Sequence, residues 1–281
     1  MPVAVVTDST AYLPAELSGD ITTVPLTVAI GGVEGAEGER VGPAEVAAAL
    51  TARRVAVSTS RPAPERFART YRQLLDAGAT GVVSVHLSAE LSGTREAATL
   101  AAGQVDPDRV LVVDARSTGM GLGFCVRAAA GAAAGGADLA GAAQAARAAV
   151  AATDTFFYVD TLEFLRRGGR ISAASALLGT ALSVKPILHV VDGAIAAREK
   201  VRTASRALGR LVDLAVEAAG ESEVEVAVHH LVAAERAREI STTLAQRLGG
   251  RLRQQWTSEV GAVVAAHAGP GLVGVVIHRI G

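Results

Sequence analysis

Four stretches concentrate hydroxyl and carboxylate side chains directly after short apolar runs: Thr7–Thr10, Ser58–Ser60, Ser88–Thr94 and Asp114–Thr118. Each precedes a segment of helical character, so its hydroxyls and free backbone N–H groups can converge on one spot. If the apolar runs are parallel strands, all four loops lie on the carboxyl edge of the sheet, where open α/β folds place their ligands. Such donors suit an anionic oxygen group, a carboxylate or a phosphate. Any one of these loops alone is an ordinary helix cap; four together point to a site.

Other chemistries lack their residues. No G-x-x-x-x-G-K-[ST] loop for nucleotide phosphates occurs, and Gly119-Met120-Gly121-Leu122-Gly123 is not a dinucleotide fingerprint. Ser92, between Leu91 and Gly93, lacks a G-x-S-x-G elbow. Its hydroxyl is a nucleophile only if His86 or His267 reaches it; otherwise it is a hydrogen-bonding group. The histidines show no H-x-x-x-H spacing, and His229 and His230, being adjacent, face opposite ways if they lie on a strand. Asp8, Asp114 and Asp160 could in principle hold Mg²⁺, but acids at strand ends more often orient loops. No metal and no cofactor is expected.

The second half contributes cations and a small-residue apolar run. Asp160-Thr161-Leu162-Glu163-Phe164-Leu165 leads into the bend Arg166-Arg167-Gly168-Gly169-Arg170, after which Ile171–Val184 carries no charge. The helix expected there is either a core helix or one wall of a slot for a long apolar molecule with an anionic head. His267-Ala268-Gly269-Pro270-Gly271 is a rigid loop whose glycines allow close backbone approach. His267 either donates to an anion or caps the helix that ends there. Lys200 and Arg202 add positive charge, or are simply solvated.

The elements that must position these groups alternate. Short β-branched runs at Val3–Val6, Val24–Ile30, Val55–Val57, Val82–Val85 and Val110–Val113 alternate with helical stretches at Pro43–Leu50, from Pro64, from about Ser92 and, Ala-rich, at 121–134 and 139–152. That alternation predicts βαβ units and a parallel sheet covered on both faces. The pattern changes near Thr153. Asp192-Gly193 between two apolar runs predicts a hairpin with a type I′ turn, 203–219 is an amphipathic helix, and three further strands follow. Two α/β domains result, 1–153 with a mostly parallel sheet and 154–281 with a mixed one.

Composition narrows the classes. Of 281 residues, half are apolar and the formal charge is −1, which permits a large core and argues against nucleic-acid binding. Aromatics at 3% are too few for a base-stacking platform. A lone cysteine, Cys125, and an N-terminus without a basic region before its short apolar run suggest a cytoplasmic protein. No run is long and apolar enough for stable membrane insertion.

Taken together, TDSTAYLP (Thr7–Pro14), TSRP (Thr59–Pro62), LSAELSGT (Leu87–Thr94), DARSTGMGLG (Asp114–Gly123), DTLEFLRRGGRI (Asp160–Ile171), LLGTALSVKPIL (Leu177–Leu188), EKVRT (Glu199–Thr203) and HAGPG (His267–Gly271) resemble the DegV family of fatty-acid-binding proteins, in order and from the first strand to the last. The resemblance implies two α/β domains with one long-chain fatty acid, such as palmitate or oleate, between them, in a carrier and not an enzyme. It places the carboxylate on Thr59 and Ser92, with Ser60, Gly93, Thr94 and Met120 nearby and His267 in the hydrogen-bond network. It also implies a partner, a separate ATP-dependent fatty acid kinase, docked through Arg170, Lys200 and Arg202, with Arg170 also at the pocket mouth. Arg61 and Ala63 depart from the Gln and Ser frequent in the family, and Ala115 and Gly119 from frequent serines. An acyl- or phosphoryl-transferring enzyme using Ser92 or His267 is the alternative.

Overall fold

The computed structural model describes residues 3–52, 55–171 and 185–280. The uncharged helix expected over Ser172–Leu182 lies outside the described residues. In chain order the strands are β1 (Ala4–Asp8), β2 (Thr22–Val24), β3 (Thr27–Ile30), β4 (Val33–Ala36), β5 (Val57–Ser60), β6 (Val82–His86), β7 (Val110–Asp114), β8 (Thr153–Tyr158), β9 (Lys185–Val191), β10 (Ala194–Val201), β11 (Glu223–His230), β12 (Leu252–Glu259) and β13 (Val273–Ile280). The helices are α1 (Ala15–Ser18), α2 (Pro43–Ala52), α3 (Pro64–Asp76), α4 (Thr94–Val105), α5 (Met120–Ala134), α6 (Leu139–Ala151), α7 (Glu163–Arg167), α8 (Ala204–Ala219), α9 (Ala234–Leu248) and α10 (Ala262–Ala268).

The chain forms two compact units, one from 1–27 with 59–151 and the other from 28–58 with 152–281. The sequence pattern places a single boundary near 153; the chain in fact passes between the units three times, and 28–58 groups with the second.

The first unit is built on a four-stranded sheet of order β2-β1-β6-β7, parallel throughout. Strand β6, VVSVH, shows why it is covered on both sides. Val83 and Val85 pack with Leu122, Cys125 and Ala129 of α5 and with Ala142 and Ala146 of α6. Val82, on the opposite face of the pleat, packs with Phe67 and Tyr71 of α3 and with Ala97 and Ala101 of α4. Alanines let α5 and α6 lie close together, and Pro64 at the first turn of α3 starts that helix without losing a backbone bond.

The second unit carries a six-stranded sheet, β10-β9-β8-β13-β11-β12, antiparallel except for the parallel β11/β12 pair. Asp192 and Gly193 join β9 to β10 with φ of 53° and 85°, as a type I′ turn requires. Helix α8 begins at the cap Thr203, whose hydroxyl accepts from the Arg206 N–H, and buries Leu211, Leu214 and Ala215 against Ile187, Val226 and Val275. The expected α/β architecture, one parallel and one mixed sheet, is the observed one.

Two expectations need correction. Val24–Ile30 is not one strand: Pro25 interrupts the run, β2 stays in the parallel sheet, and β3 joins a small sheet of order β4-β3-β5. Proline cannot donate to a ladder, so the break falls where the chain changes sheets. Ser58–Ser60 is not a loop at the parallel edge either, since it lies within β5 of that small sheet. Three hydroxyl loops, not four, share the parallel sheet's carboxyl edge.

Candidate functional site

Those three loops are laced together by backbone. Thr10 accepts at its carbonyl from the Gly119 N–H at 2.8 Å, and Ser117 accepts from the Ser88 N–H at 2.9 Å. Beneath them sits Asp8, wholly buried at the end of β1. Its Oδ1 accepts from the Thr10 N–H (3.1 Å) and the Thr10 hydroxyl (2.6 Å), while Oδ2 accepts from the Leu87 N–H (3.0 Å) and lies 3.0 Å from His86 Nδ1. Asp8 thus ties the first loop to the start of the second. From His86 the chain continues inward: Nε2 lies 2.7 Å from Ser84 Oγ, which accepts from the Tyr71 hydroxyl at 2.8 Å. Buried polar groups need partners. Every donor and acceptor here finds one if the imidazole proton is on Nδ1, so that Tyr71 donates to Ser84 and Ser84 to Nε2. Burial pushes the Tyr71 hydroxyl far above its ordinary pKa, so it serves as a donor.

The second loop presents the candidate hydroxyls. Ser92 N–H donates to Ser88 O at 3.1 Å, and the Ser92 and Thr94 hydroxyls are 2.8 Å apart where α4 begins. Ser92 Oγ also accepts from the Thr94 N–H at 3.3 Å, just ahead of the helix. Thr94 is buried, whereas Ser92 and Gly93 are half-buried. Thr59 is half-buried on β5, and its neighbour Ser60, on the other face of the strand, is exposed. Met120 is fully buried at the first residue of α5. His86 uses both ring nitrogens on Asp8 and Ser84 and so is not a base for Ser92. Arg61, one strand-end beyond Thr59, reaches across the same loop: its Nη1 donates to Glu96 (2.5 Å) and to the Gly93 carbonyl (3.3 Å).

The second unit gathers a separate group. A side chain at Gly168 would overlap the ring nitrogen Nδ1 of His267, and Arg170 Nη1 donates to the Gly168 carbonyl. His267, Gly168 and Arg170 are therefore brought together. Burial first, and the Arg170 charge second, hold the His267 pKa down to about 4. It is an uncharged polar ring at neutral pH. Gly269 (φ 75°) and Gly271 (φ 88°) are needed twice over, since a Cβ would also strike Phe164 at the first and Asp160 at the second. Asp160 itself accepts from the Tyr158 hydroxyl at 2.6 Å and pairs with Arg236 at 3.4 Å. Lys200 and Arg202 are exposed at the end of β10 and in the turn before α8. Among the described residues no cluster of three or more His, Cys, Asp or Glu is placed to hold a metal ion, and no helix there is long and apolar enough to cross a membrane. Cys125 is buried, and burial pushes its thiol up to about 12.

The sequence names Asp8 as a strand-end acid and His86 as a candidate base for Ser92, but it shows neither their pairing nor the role of Glu37. Asp8 and His86 form the buried link just described; the polar pair Ser84 and His86 on one face of an apolar strand was its only local sign. Glu37 accepts from the Val263 N–H at 2.8 Å and caps α10, the helix that carries His267. Nothing near Glu37 in sequence announces that.

The family model described as an uncharacterised protein of the DegV family matches residues 2–279. The chain belongs to the DegV family. A DegV domain-containing protein of Streptomyces coelicolor is 52% identical over 98% of both chains. Among solved structures, a DegV family protein from Thermus thermophilus described by its fatty acid binding superposes with a TM-score of 0.91 at 33% identity, covering 100% of each chain. DegV of Bacillus subtilis, described as a fatty acid binding protein, does so with a TM-score of 0.89 at 30% identity and the same coverage. The match to DegV proteins thus runs over the length of the chain.

Proposed function

We infer that this DegV chain binds a long-chain fatty acid, its carboxylate held by Thr59 and Ser92, and presents it to a separate ATP-dependent fatty acid kinase. The observation that carries the reading is the Ser92–Thr94 hydroxyl pair at the start of α4, in a chain whose whole length matches fatty-acid-binding neighbours. Burying an acyl chain contributes about 0.8 kcal/mol per CH₂, so area supplies affinity. Hydroxyl donors then satisfy the carboxylate, which cannot be left bare once removed from water. His267, uncharged at neutral pH, belongs to this network as a hydrogen-bonding group. Ser60, Gly93 and Met120 flank the head group. Arg170, Lys200 and Arg202 dock the kinase.

The protein itself performs no chemistry in this reading. Among the described residues no imidazole bonds to the Ser92 hydroxyl, whose hydrogen bonds are to Thr94, which disfavours an acyl- or phosphoryl-transferring enzyme built on Ser92.

Native mass spectrometry of the purified protein is expected to show co-bound palmitate or oleate. Apo protein that takes up neither acid when they are added would sink the proposal. Thr59→Ala combined with Ser92→Ala should weaken retention of the acid, while Arg170→Ala and Arg202→Ala should retain it and lose acyl phosphate formation with the kinase. A covalent adduct on Ser92 or His267, formed without a kinase, would favour the enzyme instead.

A further inference from the structure

Gly93 sits at φ −73° and ψ 11°, a conformation open to any residue, so its backbone does not require glycine. Space does. A methyl group built there would overlap Arg61 Nη1 and lie 3.0 Å from Cδ and 3.2 Å from Cζ of the same side chain. The Arg61 side chain lies against Gly93 in the space that a side chain at position 93 would take. One end of the guanidinium, Nη1, is fixed by Glu96 and by the Gly93 carbonyl. Nε and Nη2 make no hydrogen bond to any described residue, and the side chain is 44% exposed. A pinned cation with open donors therefore lies against the turn that carries the Ser92 and Thr94 hydroxyls.

As a surface ion pair this arrangement would add little to stability, and a long charged side chain loses rotamer freedom when held in one pose. The placement gains meaning beside an anion. Hydroxyls recognise a carboxylate, a protonated acid or an alcohol alike, because they donate to the oxygens of all three and can also accept from the two neutral groups. A guanidinium discriminates: its charge-assisted bond rewards the ionised head group over the neutral ones. We propose that Arg61 is a specificity-determining residue that makes this site select the ionised carboxylate over neutral head groups of the same chain length, and that Gly93 is the seat that admits it. The inference rests on the fatty-acid reading above and adds the charge selection. Glu96 opposes it in part, since its carboxylate shares the guanidinium.

The test compares palmitate with 1-hexadecanol, by displacement of a fluorescent fatty-acid probe from the full chain over a series of KCl concentrations. Wild type should prefer palmitate, with an affinity that falls as salt rises. Arg61→Gln should weaken palmitate by about fivefold at low ionic strength, leave hexadecanol unchanged and flatten the salt dependence. Arg61→Lys should restore the salt dependence and only part of the affinity, since a point charge lacks the fork. Gly93→Ala, whose backbone tolerates the change, should lose the same preference by displacing Arg61. Palmitate binding by Arg61→Gln with wild-type affinity and salt slope would overturn the inference and leave the carrier reading intact. Failure of wild type to bind palmitate at all would overturn both. Equal losses for palmitate and hexadecanol would show a loop-shaping role and overturn the charge selection.

Discussion

Asp8 accepts four hydrogen bonds without any exposure to solvent, from two backbone N–H groups, a hydroxyl and an imidazole. An amide in its place turns a donor toward two donors whichever way it is flipped. Asp8→Asn should therefore destabilise the protein by on the order of 3 kcal/mol, measurable as a lower urea midpoint at unchanged slope. Tyr71→Phe, which removes only the last donor of the chain, should cost about 1 kcal/mol. An Asp8→Asn protein as stable as wild type would show that the loops are held from elsewhere. At this scale the motif that names Ser92 and Thr94 puts them two residues apart, and the structure joins their hydroxyls. The sequence was unreadable where a role depends on a partner far along the chain. Asp8 and His86 are 78 residues apart, and their pairing exists only because β1 and β6 are neighbours in the sheet.

Elements were legible in proportion to how local their cause is. The β9–β10 hairpin follows from Asp192-Gly193 alone, α3 from Pro64, and α8 from an apolar stripe behind the Thr203 cap. The division of Val24–Ile30 between two sheets did not show in its hydrophobicity, although Pro25 marked the place. Helix α10 is the opposite case: it begins after Gly261, which has no capping side chain, and takes its cap from Glu37, 226 positions away. A carboxylate at a helix N-terminus also meets the positive end of the dipole. Glu37→Ala should lower stability by about 1–2 kcal/mol, with Glu37→Gln losing less because an amide oxygen still accepts from Val263. Hydrogen exchange at the Val263 amide would localise the effect. Unaltered protection there would argue that another group caps α10.

For the molecule as a whole, the buried His229 and the half-buried His267 predict how stability follows pH. Burial chiefly holds His229, bonded to Ser258, at about 4, and does the same for His267. In the unfolded chain both titrate near the ordinary 6.5. Between those values the unfolded state binds more protons, so stability is complete above about 6.5 and falls as pH drops through about 4. Each ring contributes a slope of about 1.4 kcal/mol per pH unit at most. Urea unfolding at pH 7 and pH 5 should show the loss, and His229→Gln should reduce the difference. A flat profile from pH 7 to 5 would mean that neither ring is kept uncharged by the fold. The two-part α/β architecture was legible because alternating strands and helices give way to a hairpin and a meander near Thr153. The membership of 28–58 was not, since nothing in those residues states which sheet they will serve.

That membership has a consequence during synthesis. Residues 28–58 emerge from the ribosome long before the strands they accompany, and Glu37 must wait for Val263. At about 5–20 residues per second the interval is on the order of ten seconds or more. The first unit has all its residues once Ala151 is out, so it can fold around a looped-out excursion that still lacks its companions. Nascent protein halted after Ala151 should therefore protect β1, β6 and β7 from protease while being cut within 28–58, and a gene split at that point should give a second half that folds only when 28–58 is supplied with it.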